Sequence, residues 1–137
     1  MYFQLTRRSP TPKEYNELRQ SVGWPTFDDD IVLKALNNTL LALLVHDEQG
    51  QIVGMARVIG DGAIYFHVQD VIVRQGFQRL GVGALLMNAV MDFIDGQSTK
   101  GTNVGLMCSV GRENFYRKYG FIARPNESFG AGMIQVR

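Results

Sequence analysis

The sequence predicts a mixed α/β (α+β) domain in which helices pack on a largely antiparallel sheet. Three features carry this prediction. Short apolar runs between residues 40 and 73 are separated by turns of hairpin length. A later helical stretch bearing Leu85, Leu86, Ala89, Val90, Phe93 and Ile94 is apolar enough to require burial against a sheet. The element order is β, α, α, three strands, α, β, α and two closing strands, which mixes the two kinds of structure throughout. That amounts to six or seven strands and about four helices over residues 1–137, a length suited to one domain.

Tyr2 to Arg7 alternates apolar and polar residues and reads as the first strand. Thr11-Pro12-Lys13-Glu14 has the form of a helix start: Thr11 caps, Pro12 suits the first helical position, and Glu14 completes a capping box. Tyr15, Leu18, Arg19 and Val22 then share a face, and Gly23-Trp24-Pro25 ends the helix. A second helix is expected to begin near Thr26 to Asp28, where the acidic run Asp28-Asp29-Asp30 suits a positive helix N-terminus. Leu40 to His46 and Gln51 to Ile59 flank the turn Asp47-Glu48-Gln49-Gly50 as antiparallel neighbours. A longer strand runs from about Ile64 to Val73 and leads through Gly76 to Gly83 into the apolar helix. Asn103 to Cys108 reads as a strand and Gly111 to Lys118 as a short helix, with Gly120 in the left-handed stop position. Phe121 to Ala123 and Met133 to Val136 can close a terminal hairpin.

Composition narrows function mainly by exclusion. Basic residues outnumber acidic ones by one, so no overall field draws the chain to nucleic acid or an anionic membrane. Cys108 is the single cysteine, which rules out an intramolecular disulfide and a cysteine-based metal cluster and points to a reducing, cytoplasmic compartment. His46 and His67 are far apart, with no His-x-x-x-His pair, so no metal is expected. The apolar stretch Leu40 to Val45 is too short to span a bilayer, and the N-terminus has no apolar signal core, so a soluble, unprocessed chain is expected.

The most informative local feature is the passage from strand to helix at Gln78-Arg79-Leu80-Gly81-Val82-Gly83. The first amides of a helix lack internal partners and lie at its positive end, so such a turn attracts anions. Gly81 and Gly83 would let a diphosphate approach the backbone, with Gln78 or Arg79 fixing the loop or its ligand. The other reading is that the glycines only allow close packing of helix and strand. A Rossmann fingerprint is excluded by Leu86 at the third glycine position, and a P-loop by the missing Gly-Lys-Ser/Thr ending.

Val71-Ile72-Val73 followed by Gln78-Arg79-Leu80-Gly81-Val82-Gly83 resembles motif A of the GNAT superfamily, the GCN5-related N-acetyltransferases. Asn114-Phe115-Tyr116-Arg117-Lys118-Tyr119-Gly120-Phe121 is similar to the family's late F-Y-x-x-x-G-F signature, and the element order matches over nearly the whole chain. The resemblance implies the GNAT fold and acetyl-CoA as cosubstrate. It assigns pyrophosphate contacts to the backbone from Arg79 through Ala84, pairing with the pantetheine arm to Val71 and Val73, and an oxyanion-stabilising amide to Ile72 or Val73. Phe115 belongs to the cofactor side by the same match. Ser109 stands where many members carry an asparagine, and Arg112 where they carry an alanine, so the usual asparagine contact to the pantetheine arm does not carry over directly and Ser109 is the candidate at that position.

For the chemistry, the resemblance makes Tyr116 the acid that protonates the coenzyme A sulfur, and a phenol has that proton to donate. His67 lies where arylalkylamine acetyltransferases carry base histidines. Asp70 is either a carboxylate working through water or a satisfied buried polar group. His67 and Gln69 fall on one face of the strand and Asp70 on the other, so the three converge only if the strand bulges. Cys108 as a covalent nucleophile is disfavoured, because no histidine lies nearby in sequence. Trp24, Phe27 and Asp28 are candidate acceptor contacts, with core anchoring and helix capping as the alternative; Glu127 and Phe129 could border the same site.

The expected activity is acetyl transfer from acetyl-CoA to a primary amine of a small molecule, by direct attack in a ternary complex. Two competing readings are a non-catalytic acyl-CoA-binding sensor or interaction module and an enzyme acting on protein lysines or N-termini. Many relatives dimerise through terminal strands, so Met133 to Val136 is a candidate homodimer edge.

Overall fold

The computed structural model describes residues 1–137. The alternating segments form strands β1 (Gln4–Arg7), β2 (Leu41–His46), β3 (Ile52–Gly60), β4 (Tyr65–Val73) and β5 (Asn103–Leu106). They make one sheet in the order β1-β2-β3-β4-β5, antiparallel except for the parallel pair β4/β5. The helices are α1 (Pro12–Ser21), α2 (Asp29–Asn37), α3 (Val82–Gln97) and α4 (Glu113–Arg117). This is the mixed α/β fold expected, with five strands rather than six or seven.

The difference lies at the C-terminus. Residues 121–123 and 133–136 carry no strand, and all of them but Phe121 are exposed. Arg124 Nε donates to the Gly130 carbonyl and the Asn126 side chain accepts from Ser128 and Phe129, so the segment spends its polar groups on a local loop instead of a ladder. β5 also stops at Leu106, two residues short of Cys108.

The local signals at the N-terminus hold. Thr11 Oγ1 accepts from the Glu14 amide while Glu14 Oε1 accepts from the Thr11 amide, the reciprocal box expected. Asp28 stands at the N-cap of α2 but makes no side-chain cap bond, so the acidic run acts there through charge alone.

Two apolar clusters sandwich the sheet. On one face α3 contributes Val82, Leu86, Met87, Val90 and Ile94, packed on Val53, Ala56, Val58, Phe66 and Val68. On the other, Tyr15 and Leu18 of α1 and Val32 and Leu36 of α2 cover Leu44, Met55 and Ile72. Gly54 sets how closely α3 approaches: a β-carbon there would sit 2.7 Å from Val82 Cγ1.

β4 changes face partway along. Arg57 of β3 is opposite Gln69, yet Met55 is opposite Ile72, so β4 accommodates one extra residue, and Asp70 takes φ 53. Phe66 and Val68 therefore face α3 before the bulge, as Val71 and Val73 do after it, while Ile72 faces α1 and α2. The bulge is the device needed to put His67, Gln69 and Asp70 on one face.

Candidate active site

β4 and β5 pair from Tyr65/Asn103 to Val68/Leu106 and then part, because β5 ends while β4 continues to Val73. The strand edge beyond Val68 is thus left open on the β5 side. A groove of about 950 Å³ occupies this gap. Its walls are Gln20 to Trp24 from the end of α1, Val71 to Val73 of β4, Gly81, Gly83 and Ala84 at the start of α3, and Ser109, Arg112, Phe115 and Tyr116 from the late segment.

At one end lies the glycine turn. Arg79 (φ 64) and Gly81 (φ 91) are both left-handed, so the chain curls tightly just ahead of α3. The amides of residues 78–84 meet no acceptor within the protein. Arg79, Arg112 and Lys118 line the groove, and no carboxylate does. Together these residues suit a diphosphate: unpartnered N–H groups at a helix N-terminus, backed by cations and open to approach. Leu80 is exposed and the Val82 side chain is buried beneath the turn.

The two glycines have different reasons. Gly81 needs its positive φ and has open space around it. Gly83 sits under Phe115, whose Cζ would be 3.2 Å from a β-carbon, so it permits aromatic packing as well as ligand approach. Gln78 fixes the loop: its Nε2 donates to the Val73 carbonyl at 3.2 Å and its Oε1 accepts from Arg112 at 3.4 Å.

The late signature folds into an aromatic cluster. Phe115 makes edge contacts with Tyr116 and Tyr119, at centroid distances of 5.0 and 5.6 Å, and Tyr116 meets Phe121 at 6.2 Å. This packing holds Tyr116 in the groove wall, where burial, with a smaller contribution from nearby Cys108, pushes its hydroxyl up to about 12. The phenol stays protonated at neutral pH. Burial first, and the Glu113 charge second, also raise the Cys108 thiol, which leaves it a poor nucleophile.

The structure separates the other candidates. Val71, Ile72, Val73, Gln78, Arg79, Ser109, Phe115, Tyr116 and Trp24 all line the groove. His67 does not; it is half-buried on β4 before the bulge, with Nε2 3.1 Å from Gln69 Oε1. Phe27 and Asp28 are exposed and lie outside the lining, because Asn16 pins the Phe27 backbone through two hydrogen bonds that turn the chain into α2. Asp70 is buried, with Oδ1 accepting from Arg19 at 3.0 Å and Oδ2 from Arg57 at 2.9 Å and from the Tyr15 hydroxyl at 2.5 Å. Its lone pairs are committed, so the satisfied buried group is the reading that the structure favours over a base. Gln20 to Val22, Gln75 and Lys118 are lining residues that sequence reasoning missed, since nothing local marks a helix end as a groove wall. No His, Cys, Asp or Glu cluster of three or more is placed to hold a metal, and no helix is long and apolar enough to cross a membrane.

Known proteins similar to this chain give its family. The family model described as an acetyltransferase (GNAT) domain matches residues 13–137. An uncharacterized N-acetyltransferase ycf52-like protein of Prochlorococcus marinus is 33% identical over 115 residues, covering 82% of this chain and 63% of that protein. Serotonin N-acetyltransferase 2, chloroplastic, of Oryza sativa subsp. japonica is 28% identical over 137 residues, covering 96% of this chain and 68% of that protein. The chain thus spans about two thirds of the length of these curated relatives. Among solved structures, a probable acetyltransferase from meticillin-resistant Staphylococcus aureus superposes with a TM-score of 0.88 at 28% identity, covering 98% of this chain and all (100%) of the other. A GNAT family acetyltransferase from Streptococcus pneumoniae superposes at 0.82 with 27% identity, covering 99% and 98%. The chain belongs to the GNAT acetyltransferase family, whose cosubstrate is acetyl-CoA.

Proposed function

We propose that this protein is an N-acetyltransferase that moves the acetyl group of acetyl-CoA to a primary amine of a small molecule, within a ternary complex. The observation that carries the reading is the run of unpartnered amides at residues 78–84, at one end of a groove whose wall also holds the Tyr116 hydroxyl. Bound acetyl-CoA supplies an activated acyl group whose leaving group is a thiolate.

The amides of residues 79–84 grip the pyrophosphate, and the open edge of β4 at Val71 and Val73 pairs with the pantetheine arm. A backbone amide of Ile72 or Val73 stabilises the carbonyl oxygen as the amine attacks; the C–N bond forms and the C–S bond breaks. Tyr116 donates its proton to the departing sulfur. The nitrogen gives up a proton as it becomes an amide, which balances that donation. With no histidine or carboxylate in the groove lining, water carries that proton and the amine enters neutral. The raised Cys108 thiol supports direct attack over an acetyl-cysteine intermediate.

A small amine is the acceptor we favour for a groove whose lining near the end of α1 holds Trp24 and uncharged polar residues. The name of the rice relative points the same way, whereas that of a soybean relative, histone acetyltransferase TAP1, points to a protein acceptor. The test is thiol release from acetyl-CoA with small amines and lysine peptides side by side, using the wild type and Tyr116→Phe. Turnover with amines, lowered about 100-fold or more in Tyr116→Phe at little-changed coenzyme A affinity, is the expected result. Cofactor binding without turnover on any acceptor would instead make the protein an acyl-CoA sensor.

A further inference from the structure

The Arg19 guanidinium, just behind the groove, bonds to two elements that flank it. On the β4 side, Nη1 donates to Asp70 at the bulge, 3.0 Å away. On the α1 side, Nε donates to the Pro25 carbonyl at 2.6 Å. Its carbon also lies 5.4 Å from the Trp24 ring centroid and 5.2 Å from that of Phe27. Gln20 to Trp24 and Val71 to Val73 both line the groove, and Arg19 and Asp70 each sit next to one of these runs in sequence.

Asp70 needs such a partner. A non-glycine residue at φ 53 is strained, and its side chain is 1% exposed, so a carboxylate there persists only where cations hold it. Arg57 supplies a second ion pair from the neighbouring strand, which anchors Asp70 to the sheet but not to the Trp24 loop. Arg19 is the ion-pair partner of Asp70 that also bonds that loop, through the Pro25 carbonyl, while the Tyr15 hydroxyl ties Asp70 to α1.

We infer that Arg19 and Asp70 form a positioning pair: they lock the β4 bulge to the Trp24 loop, and so set the spacing between the backbone groups of residues 71–73 and the acceptor side of the groove. Neither residue touches the reacting atoms. The inference rests on the proposed acetyl transfer for its catalytic consequence but not for its structural one. A displacement of about 1 Å at a reacting centre can lower turnover about 100-fold, so a loose bulge shows in kcat before it shows in cofactor binding.

The test uses Arg19→Lys, because Asp70→Asn would leave two buried guanidinium groups facing a neutral amide and could prevent folding. A lysine keeps the charge, but its single ammonium cannot replace a fork that bonds Asp70 and Pro25 together while stacking on Trp24. Trp24 is the chain's single tryptophan, so its fluorescence reads the loop directly. Val32→Ala, in the same apolar cluster but away from the pair, controls for lost stability. Arg19→Lys is expected to red-shift Trp24 emission, to speed amide exchange at residues 70–72, and to lower kcat at least tenfold with the KM for acetyl-CoA within threefold. Val32→Ala is expected to do none of these in its folded fraction. Unchanged fluorescence and exchange in Arg19→Lys overturn the inference, as does a kcat equal to that of the wild type, or a Val32→Ala variant showing the same pattern. If the wild type acetylates nothing while the fluorescence and exchange shifts appear, the tie stands and the acetyltransferase reading fails.

Discussion

Gly54→Ala probes the contact that seats the start of α3 on the sheet. Its β-carbon would lie 2.7 Å from Val82 Cγ1, 3.2 Å from Leu86 Cδ1 and 3.4 Å from the Ile72 carbonyl oxygen. The first distance is roughly 0.8–1.3 Å inside the usual carbon–carbon contact. Val82 is 1% exposed and β-branched, so it has little freedom to rotate away. The first turn of α3 must move instead, and it carries the amides of residues 82–84. Overpacking of this kind costs about 1–3 kcal/mol, and the entropy lost by the unfolded chain on gaining a side chain offsets about 0.4–1 kcal/mol of that. The expected net loss is about 1–2 kcal/mol in urea unfolding. On the proposed cofactor site, a shift near 1 Å would also weaken amide-to-phosphate bonds worth about 1.5–3 kcal/mol each, so coenzyme A affinity in calorimetry should fall about tenfold or more. Gly96→Ala is the matched control: it lies in α3 with no atom within 4 Å, and should be neutral to about 1 kcal/mol stabilising, with unchanged affinity. A Gly54→Ala protein as stable as the wild type, with equal affinity, would refute the packing argument.

Two further outcomes follow from the site and its scaffold. His67→Ala should leave the pH dependence of kcat/KM unchanged, because His67 does not line the groove and the acid limb belongs to the amine; loss of an ionisation near neutrality would restore it as the base. Arg8 holds Glu14 down to about 2, chiefly through a side-chain hydrogen bond. The depressed carboxyl stabilises the fold above its ordinary pKa near 4.5 and loses that contribution as pH falls towards 2. The pair is partly exposed, so Glu14→Gln should cost only about 1 kcal/mol at pH 7 and nearly nothing at pH 2, measured by unfolding at both.

What could be read from sequence was local. The capping box at Thr11 and Glu14, the turn at Asp47 and the left-handed stop at Gly120 depend on residues a few positions apart, and each formed where expected. So did the turn before α3, since a helix N-terminus after a glycine loop is specified by its own residues. The terminal hairpin was misread because a strand is defined by its partner: Met133 to Val136 has the pattern of a strand, but no ladder takes it up. Asp70 shows the same limit at the site. Its three partners, Tyr15, Arg19 and Arg57, lie 55, 51 and 13 residues away, and no spacing rule connects them.

The bulge at Asp70 decides which face of the sheet each residue of β4 takes. Period-two reasoning placed His67 and Asp70 on opposite faces, and an uninterrupted strand would have kept them there. The extra residue turns Asp70 onto the α1 face and, by the same step, sends Val71 and Val73 towards α3. A buried carboxylate held by two arginines is costly to assemble and is weak evidence for stability alone. Here it sits at the one position where β4 must change face just before its free edge enters the groove. The charge cluster and the open edge are therefore parts of one arrangement: the ion pairs hold a strained backbone, and the strained backbone brings residues 71–73 alongside the amides at the start of α3.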